Sequence, residues 1–211
     1  MRNNSNEKRK DGQEYGQDAA QQRNFSPALN FYHANSKGTG SVASFNITPA
    51  TGDRDGAIFM KLAPQRSAAS GSRDQGTRQH ATFDWGNRIV VKLNFSDVCQ
   101  MLSVFNGKEA SVNEGKGLYH DTSDWTTIIN LSSQTEPVRG FFLEVSRRGK
   151  SNGDQGAKIK MFLNLHEAYG LGTVMEQSLS LLAFGIPRQN RRLPLGDSTE
   201  SVPSTNLEGD E

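Results

Sequence analysis

Between residues 28 and 94, apolar residues alternate with polar ones in short bursts closed by Gly, Asp or Asn, and no helical period emerges. The pattern predicts four strands: Ala28 to Asn35, Gly40 to Thr48, Ala57 to Ala63 and Thr82 to Leu93. Turn chemistry sits at Ser36-Lys37-Gly38 and from Thr51 to Gly56. The stretch Gln65 to Gln79 is small, charged and without apolar period, and reads as a mobile loop. Val98, Met101, Leu102 and Phe105 then fall at i, i+3, i+4 and i+7, a short amphipathic helix with Asn94 or Ser96 as N-cap and Gly107 as its end. A second set of alternations follows at Gly117 to Thr122, Asp124 to Ser132, Gly140 to Arg147 and Ala157 to Leu165. Leu171, Val174, Met175, Ser178, Leu179 and Leu182 mark a closing helix that Gly185 and Pro187 terminate. Two halves thus repeat one plan, four strands and a helix, without an evident residue-by-residue repeat.

Alternation divides each strand between two faces. One face collects Ile58, Met60 and Leu62; Ile89, Val91 and Leu93; Phe141, Leu143 and Val145; and Ile159, Met161, Leu163 and Leu165, the expected core beneath the helices. The other carries Phe59 and Lys61, Arg88 and Lys92, Phe142 with Arg148 just beyond the strand, and Lys158, Lys160 and Phe162. Aromatic planes interleaved with cations suit single-stranded nucleic acid, because bases stack on rings while Lys and Arg follow phosphates. Cations on a solvated sheet face are also ordinary, so the pattern alone leaves both readings open.

Charge changes the picture at the ends. Residues 1–23 carry five basic and four acidic groups with hardly an apolar side chain, the composition of a disordered arm. Residues 193–211 carry Asp197, Glu200, Glu208, Asp210 and Glu211 with no Lys or Arg. Between them remain 19 basic and 14 acidic side chains, a moderately basic body beside an acidic tail. The expected organisation is a polar arm over 1–24, one domain over 25–188 and a disordered acidic tail over 189–211, which either keeps the protein in solution or docks a protein partner. The first 24 residues hold no apolar signal core and no run of 18 apolar residues occurs, so the expectation is an intracellular, soluble chain, cytoplasmic or nucleoid-associated, with no membrane partner.

Enzyme chemistry finds little purchase. Tyr119-His120-Asp121 and His166-Glu167 offer a base, yet no Gly-x-Ser-x-Gly nucleophile motif accompanies them. Gly149-Lys150-Ser151 ends like a phosphate loop, but Glu144 stands where its first glycine belongs. His33, His80, His120 and His166 lack metal-ligand spacing, and the lone Cys99 sits within the short helix. No catalytic residue, metal site or cofactor is expected.

The ordered pieces of the chain resemble the Whirly family of single-stranded DNA-binding proteins, whose fold is shared by mitochondrial guide-RNA-binding proteins. Lys37-Gly38-Thr39-Gly40-Ser41-Val42 stands where the family has Lys-Gly-Lys-Ala-Ala-Leu, and Phe83-Asp84-Trp85-Gly86-Asn87-Arg88 is similar to its Tyr-Asp-Trp-x-x-Arg. Tyr119-His120-Asp121 resembles its Phe-His-Asp, GFFLEVS its Gly-Tyr-Phe-Val-Ser-Leu-Ser strand, and SLLAFGIP its Phe-Ala-Leu-Pro helix end. Thr39 and Gly40 depart from the strand motif and leave Lys37 as its cation. The resemblance implies an α+β fold of two roughly perpendicular four-stranded antiparallel sheets, a homotetramer with helices at its centre, and single-stranded DNA lying along the sheets between protomers. The candidate nucleic-acid-binding residues are therefore Lys37, Phe59, Lys61, Trp85, Arg88, Lys92, Phe142, Arg148, Lys158, Lys160 and Phe162. The process served would be replication, repair or transcription. RNA on the same rings, or a purely structural β-sheet assembly, are the alternatives.

Overall fold

The computed structural model describes residues 27–71, 76–151 and 156–187; the polar arm and the acidic tail expected from the sequence lie outside them. The first half is an antiparallel meander of β1 (Leu29–His33), β2 (Ser41–Thr48) and β3 (Ala57–Ser67), whose far edge pairs with β4 (Thr82–Phe83) and β5 (Ile89–Leu93). The segment expected as one strand from Thr82 to Leu93 is broken. Asp84 accepts a hydrogen bond from the Asn87 backbone N–H and the chain makes a 3-10 turn over Trp85–Asn87 before resuming as β5. After α1 (Phe95–Phe105), the second half repeats the meander as β6 (Leu118–Asp121), β7 (Trp125–Gln134), β8 (Gly140–Gly149) and β9 (Ala157–Asn164), followed by α2 (Leu165–Phe184).

Both helices begin the same way. Asn94 accepts from the Asp97 N–H while Asp97 accepts from the Asn94 N–H, and Asn164 and Glu167 exchange the same pair of bonds. Each capping box satisfies N–H groups that a helix start leaves without partners. Each capping carboxylate also meets a histidine from the first strand of the opposite half: His120 on β6 lies 3.1 Å from Asp97, and His33 on β1 lies 2.8 Å from Glu167. The halves interlock reciprocally through these two contacts. Asn94→Ala and Asn164→Ala should each cost about 1 kcal/mol. Asp97→Ala should cost more, because it removes a cap and strands His120; denaturant midpoints at constant slope would measure all three.

One core joins both halves. Ile58, Met60, Leu62, Ile89, Val91 and Leu93 from the first sheet pack with Leu131, Leu143, Val145, Met161 and Leu163 from the second, with Val98, Met101, Leu171, Met175 and Leu182 supplied by the helices. Leu165 departs from expectation. It is the first residue of α2, not the last of a strand, and is 42% exposed, because Asn164 turns the chain into the helix one residue earlier. The expected mobile loop is also shorter than the sequence implied: β3 runs on to Ser67, and Ser70 pairs with Gln79. Gln65 is 7% exposed, its side-chain oxygen accepting from the Asn35 and Gly40 N–H groups while its amide donates to the Asn35 and Ser67 carbonyls. That one side chain secures the turn between β1 and β2. Arg147 ties the sheets together from β8, donating to the Val90 carbonyl and lying 5.7 Å from the centre of the Trp125 ring; its burial lowers the guanidinium's pKa.

Candidate nucleic-acid interface

Register assigns the outer faces. On the second sheet Phe142 stands opposite Phe162 and Ser132, so two rings from neighbouring strands share one row. A side chain at Gly140 would collide with the Phe162 ring, so this glycine is what lets the ring lie down over β8. The next row along the strands is Asn130, Glu144 and Lys160, and the one after it Tyr119, Ile128, Ser146 and Lys158. Both lysines converge on one carboxylate, at 2.8 Å from Lys158 and 3.1 Å from Lys160 to Glu144. Partial burial pushes the Glu144 pKa up, but the two lysines' hydrogen bonds and charges outweigh it and hold the carboxyl below its usual range. Arg148 lies within β8, not beyond it, exposed and opposite Thr126, beside the Asp121–Lys150 ion pair at 2.7 Å.

The first sheet is charged differently. Phe59 sits between Asn46 and Lys92, and Lys61 between Ser44 and Val90. Lys61 donates to the Asn46 side chain at 3.1 Å, and among the described residues no carboxylate forms an ion pair with Lys61 or Lys92. At the end of this face Phe59 and Lys92 open into a cleft of about 470 Å³ walled by the β2–β3 turn, Asp53, Arg54 and Asp55 included.

Of the remaining candidates, Trp85 and Arg88 fall off the strand faces. Trp85 is 37% exposed on the 3-10 turn, and the Arg88 guanidinium folds back to donate to the Trp85 carbonyl at 2.6 Å. Lys37 is exposed in the turn ahead of β2, which begins only at Ser41. That turn reaches the second sheet: the Ser41 hydroxyl donates to the Lys160 carbonyl, and Thr39, Gly40 and Ser41 line a crevice of about 260 Å³ with Lys158 and Lys160. The structure thus brings the Lys37 turn beside β9, the Phe142–Phe162 pair beside Lys160, and Phe59 beside Lys92. It leaves Trp85 apart.

These are the geometry and topology of a known fold. By structure, the chain is similar to WHY1 from Arabidopsis thaliana, with a TM-score of 0.56 at 16% identity over 76% of this chain and 86% of that one. WHY3 from Arabidopsis thaliana gives 0.53 at 15% over 75% and 89%. The chain has the Whirly fold. The plant transcriptional regulator PBF-2 is similar at a TM-score of 0.50, 16% identity, 74% of this chain and 84% of that one. No protein-family model matches the chain, and no curated relative does. The Whirly likeness thus lives in the backbone plan, two meanders each closed by a helix, far more than in residue identity.

Two exposed aromatics escaped the sequence reading. Tyr32 and Tyr119 stand on the same outer faces as Phe59 and Phe142, 61% and 64% exposed. Their signal was the parity of β1 and β6, in which each Tyr neighbours an inward-pointing residue on both sides. Of the histidines weighed as bases, His120 is held by Asp97 and His166 is exposed in the first turn of α2, where its neighbour Glu167 instead engages His33. No described helix is long and apolar enough to cross a membrane.

Proposed function

We propose that this Whirly-fold chain binds single-stranded DNA with little base preference and without chemistry. Bases stack on Phe142, Phe162 and Phe59, while Lys160, Lys158, Lys61, Lys92, Arg148 and Lys37 neutralise phosphates. The observation that carries the reading is the cross-strand Phe142–Phe162 row, half-exposed on a sheet face and bordered by cations. Stacking of this kind tolerates any base, since every base has a flat face. PBF-2 is a transcriptional regulator, which favours transcription as the process over replication or repair.

Anisotropy of labelled single-stranded DNA, duplex DNA and RNA at several salt concentrations tests the proposal. Tight, salt-dependent binding of the single DNA strand over duplex is expected. Preference for RNA would move the function to RNA annealing on the same faces, and salt-independent or absent binding would leave a structural assembly. The acidic tail, outside the described residues, competes for the same cations, so truncation after Arg192 tightens binding most at low salt, where screening is least.

The protein assembles as a homotetramer through α2. Its Leu171, Met175 and Leu182 are spent on the chain's own core. Tyr169, Val174, Phe184 and Ile186 remain exposed on or just beyond the helix, next to an apolar groove of about 400 Å³ lined by Leu29, Phe45, Ile47 and Val174. Patches of this kind mark association sites. Light scattering coupled to size exclusion should return about four times the 23.2 kDa chain, and a monomer would refute the assembly.

A further inference from the structure

The two halves match in more than strand order. In the first sheet Tyr32 pairs with Val42, which pairs with Ala63, and Phe59 lies four residues before Ala63 on β3. In the second, Tyr119 pairs with Ile128, which pairs with Ser146, and Phe142 lies four residues before Ser146 on β8. Each sheet therefore places a tyrosine on its edge strand and a phenylalanine on its third strand at the same offset. Two strand spacings and four residues of rise put the paired positions about 16 Å apart in both.

The tyrosines are also held alike. Each precedes a histidine, His33 or His120, that points to the other face and grips the capping carboxylate of the opposite half's helix. That contact fixes the strand, and with it the tyrosine's side of the sheet. A local neighbour steadies the Tyr32 ring, whose centre lies 5.6 Å from that of Phe83. An exposed aromatic held by its neighbours loses little freedom on stacking against a base, which is what a recognition platform requires.

We infer that Tyr32 and Tyr119 are base-stacking residues, and that each protomer carries two equivalent tracks for single-stranded nucleic acid, Tyr32 to Phe59 on one sheet and Tyr119 to Phe142 on the other. The inference rests on the single-strand reading given above and adds to it two residues and a two-fold site. The tracks differ in charge between their ends: the position held by Lys61 in the first is held by Glu144 in the second. In the second track Lys158 and Lys160 share the Glu144 carboxylate, whereas among the described residues no carboxylate forms an ion pair with Lys61 or Lys92 in the first.

The test uses the full-length protein and fluorescein-labelled oligodeoxythymidylate, with oligouridylate in parallel. Tyr32→Ala, Tyr119→Ala, Tyr32→Leu and Tyr119→Leu, titrated to saturation, should each leave about half of the sites at the unmodified affinity and weaken the other half about tenfold, with an unchanged salt slope. Tyr32→Phe and Tyr119→Phe, which keep the ring, should stay within about twofold of the unmodified chain, and the double Leu variant should weaken all of the sites about tenfold. The Leu variants guard against misfolding, since Tyr32 packs on Phe83. Wild-type binding with undiminished affinity in all Leu variants would overturn the inference and leave the single-strand reading standing. Loss confined to one tyrosine would overturn the equivalence of the tracks. A wild-type chain that binds neither polymer would overturn the reading itself.

Discussion

Replacing both Phe142 and Phe162 by alanine should weaken single-strand binding on the second sheet by about 2 to 6 kcal/mol, at least about 30-fold, while leaving the salt dependence unchanged. The two rings occupy one row on adjacent strands, so a strand that stacks on one is carried onto the other. Each engaged ring contributes about 1 to 3 kcal/mol, and the row offers two. Folding should suffer far less, because both side chains are only half-buried and face away from the core that Phe141, Leu143, Met161 and Leu163 fill. Thermal unfolding of the double variant separates these effects. A binding loss accompanied by a flattened salt slope would show that the rings act by ordering Lys160, not by stacking. An unchanged affinity would remove the second sheet from the interface.

The alternation of Ile58-Met60-Leu62 and of Phe141-Leu143-Val145 made the core face legible before any coordinates, because a period of two has one meaning once the strand is granted. One helix start was legible: Asn94, read beside Ser96 as a candidate N-cap, does begin α1, while Asn164 with Glu167 was hidden behind the run from Ile159 to Leu165, so the closing helix was marked only from Leu171 although it begins at Leu165. The break at Trp85–Asn87 could not be seen. Phe83 and Ile89 both look like strand residues, and only the Asp84 side chain bonding back to Asn87 turns the chain between them. The repeat was likewise present and unrecognised. Tyr32-His33 and Tyr119-His120, and Leu93-Asn94-Phe95-Ser96-Asp97 and Leu163-Asn164-Leu165-His166-Glu167, are matching pieces, but each is short and their relation is reciprocal contact between halves, a property of space and not of order along the chain. The sequence also placed Lys158 and Lys160 on the outer face of β9 without revealing their partner. Strand parity places Lys158 and Lys160 outward, whereas their common partner Glu144 comes from β8 through the register, which no single-strand pattern contains.

That register gives the last prediction. Glu144 neutralises part of the charge on Lys158 and Lys160, so these side chains meet an incoming phosphate already engaged. The carboxyl is held below its usual range, so it stays ionised at neutral pH, and its share of stability is present above the unfolded carboxylate pKa and lost as pH falls through the lower folded value. Glu144→Gln keeps the shape and removes the charge. The one charge that Glu144 had neutralised then becomes available to phosphate, adding about 0.7 to the slope of log affinity against log salt. If the added contact contributes nothing near 1 M salt, a slope steeper by about 0.7 amounts to roughly fivefold tighter binding at 0.1 M. Lys158→Ala with Lys160→Ala should do the reverse and more, because it exposes an uncompensated Glu144 carboxylate to the phosphates. Adding Glu144→Gln to that pair separates the causes: affinity should recover part of the way, by the repulsion removed, and the slope should stay shallow because no cation has returned. A Glu144→Gln protein that binds single strands no more tightly at low salt than the unmodified chain would mean that Lys158 and Lys160 serve the sheet and not the DNA, and the cationic part of the interface would then fall to Lys61 and Lys92 on the first sheet.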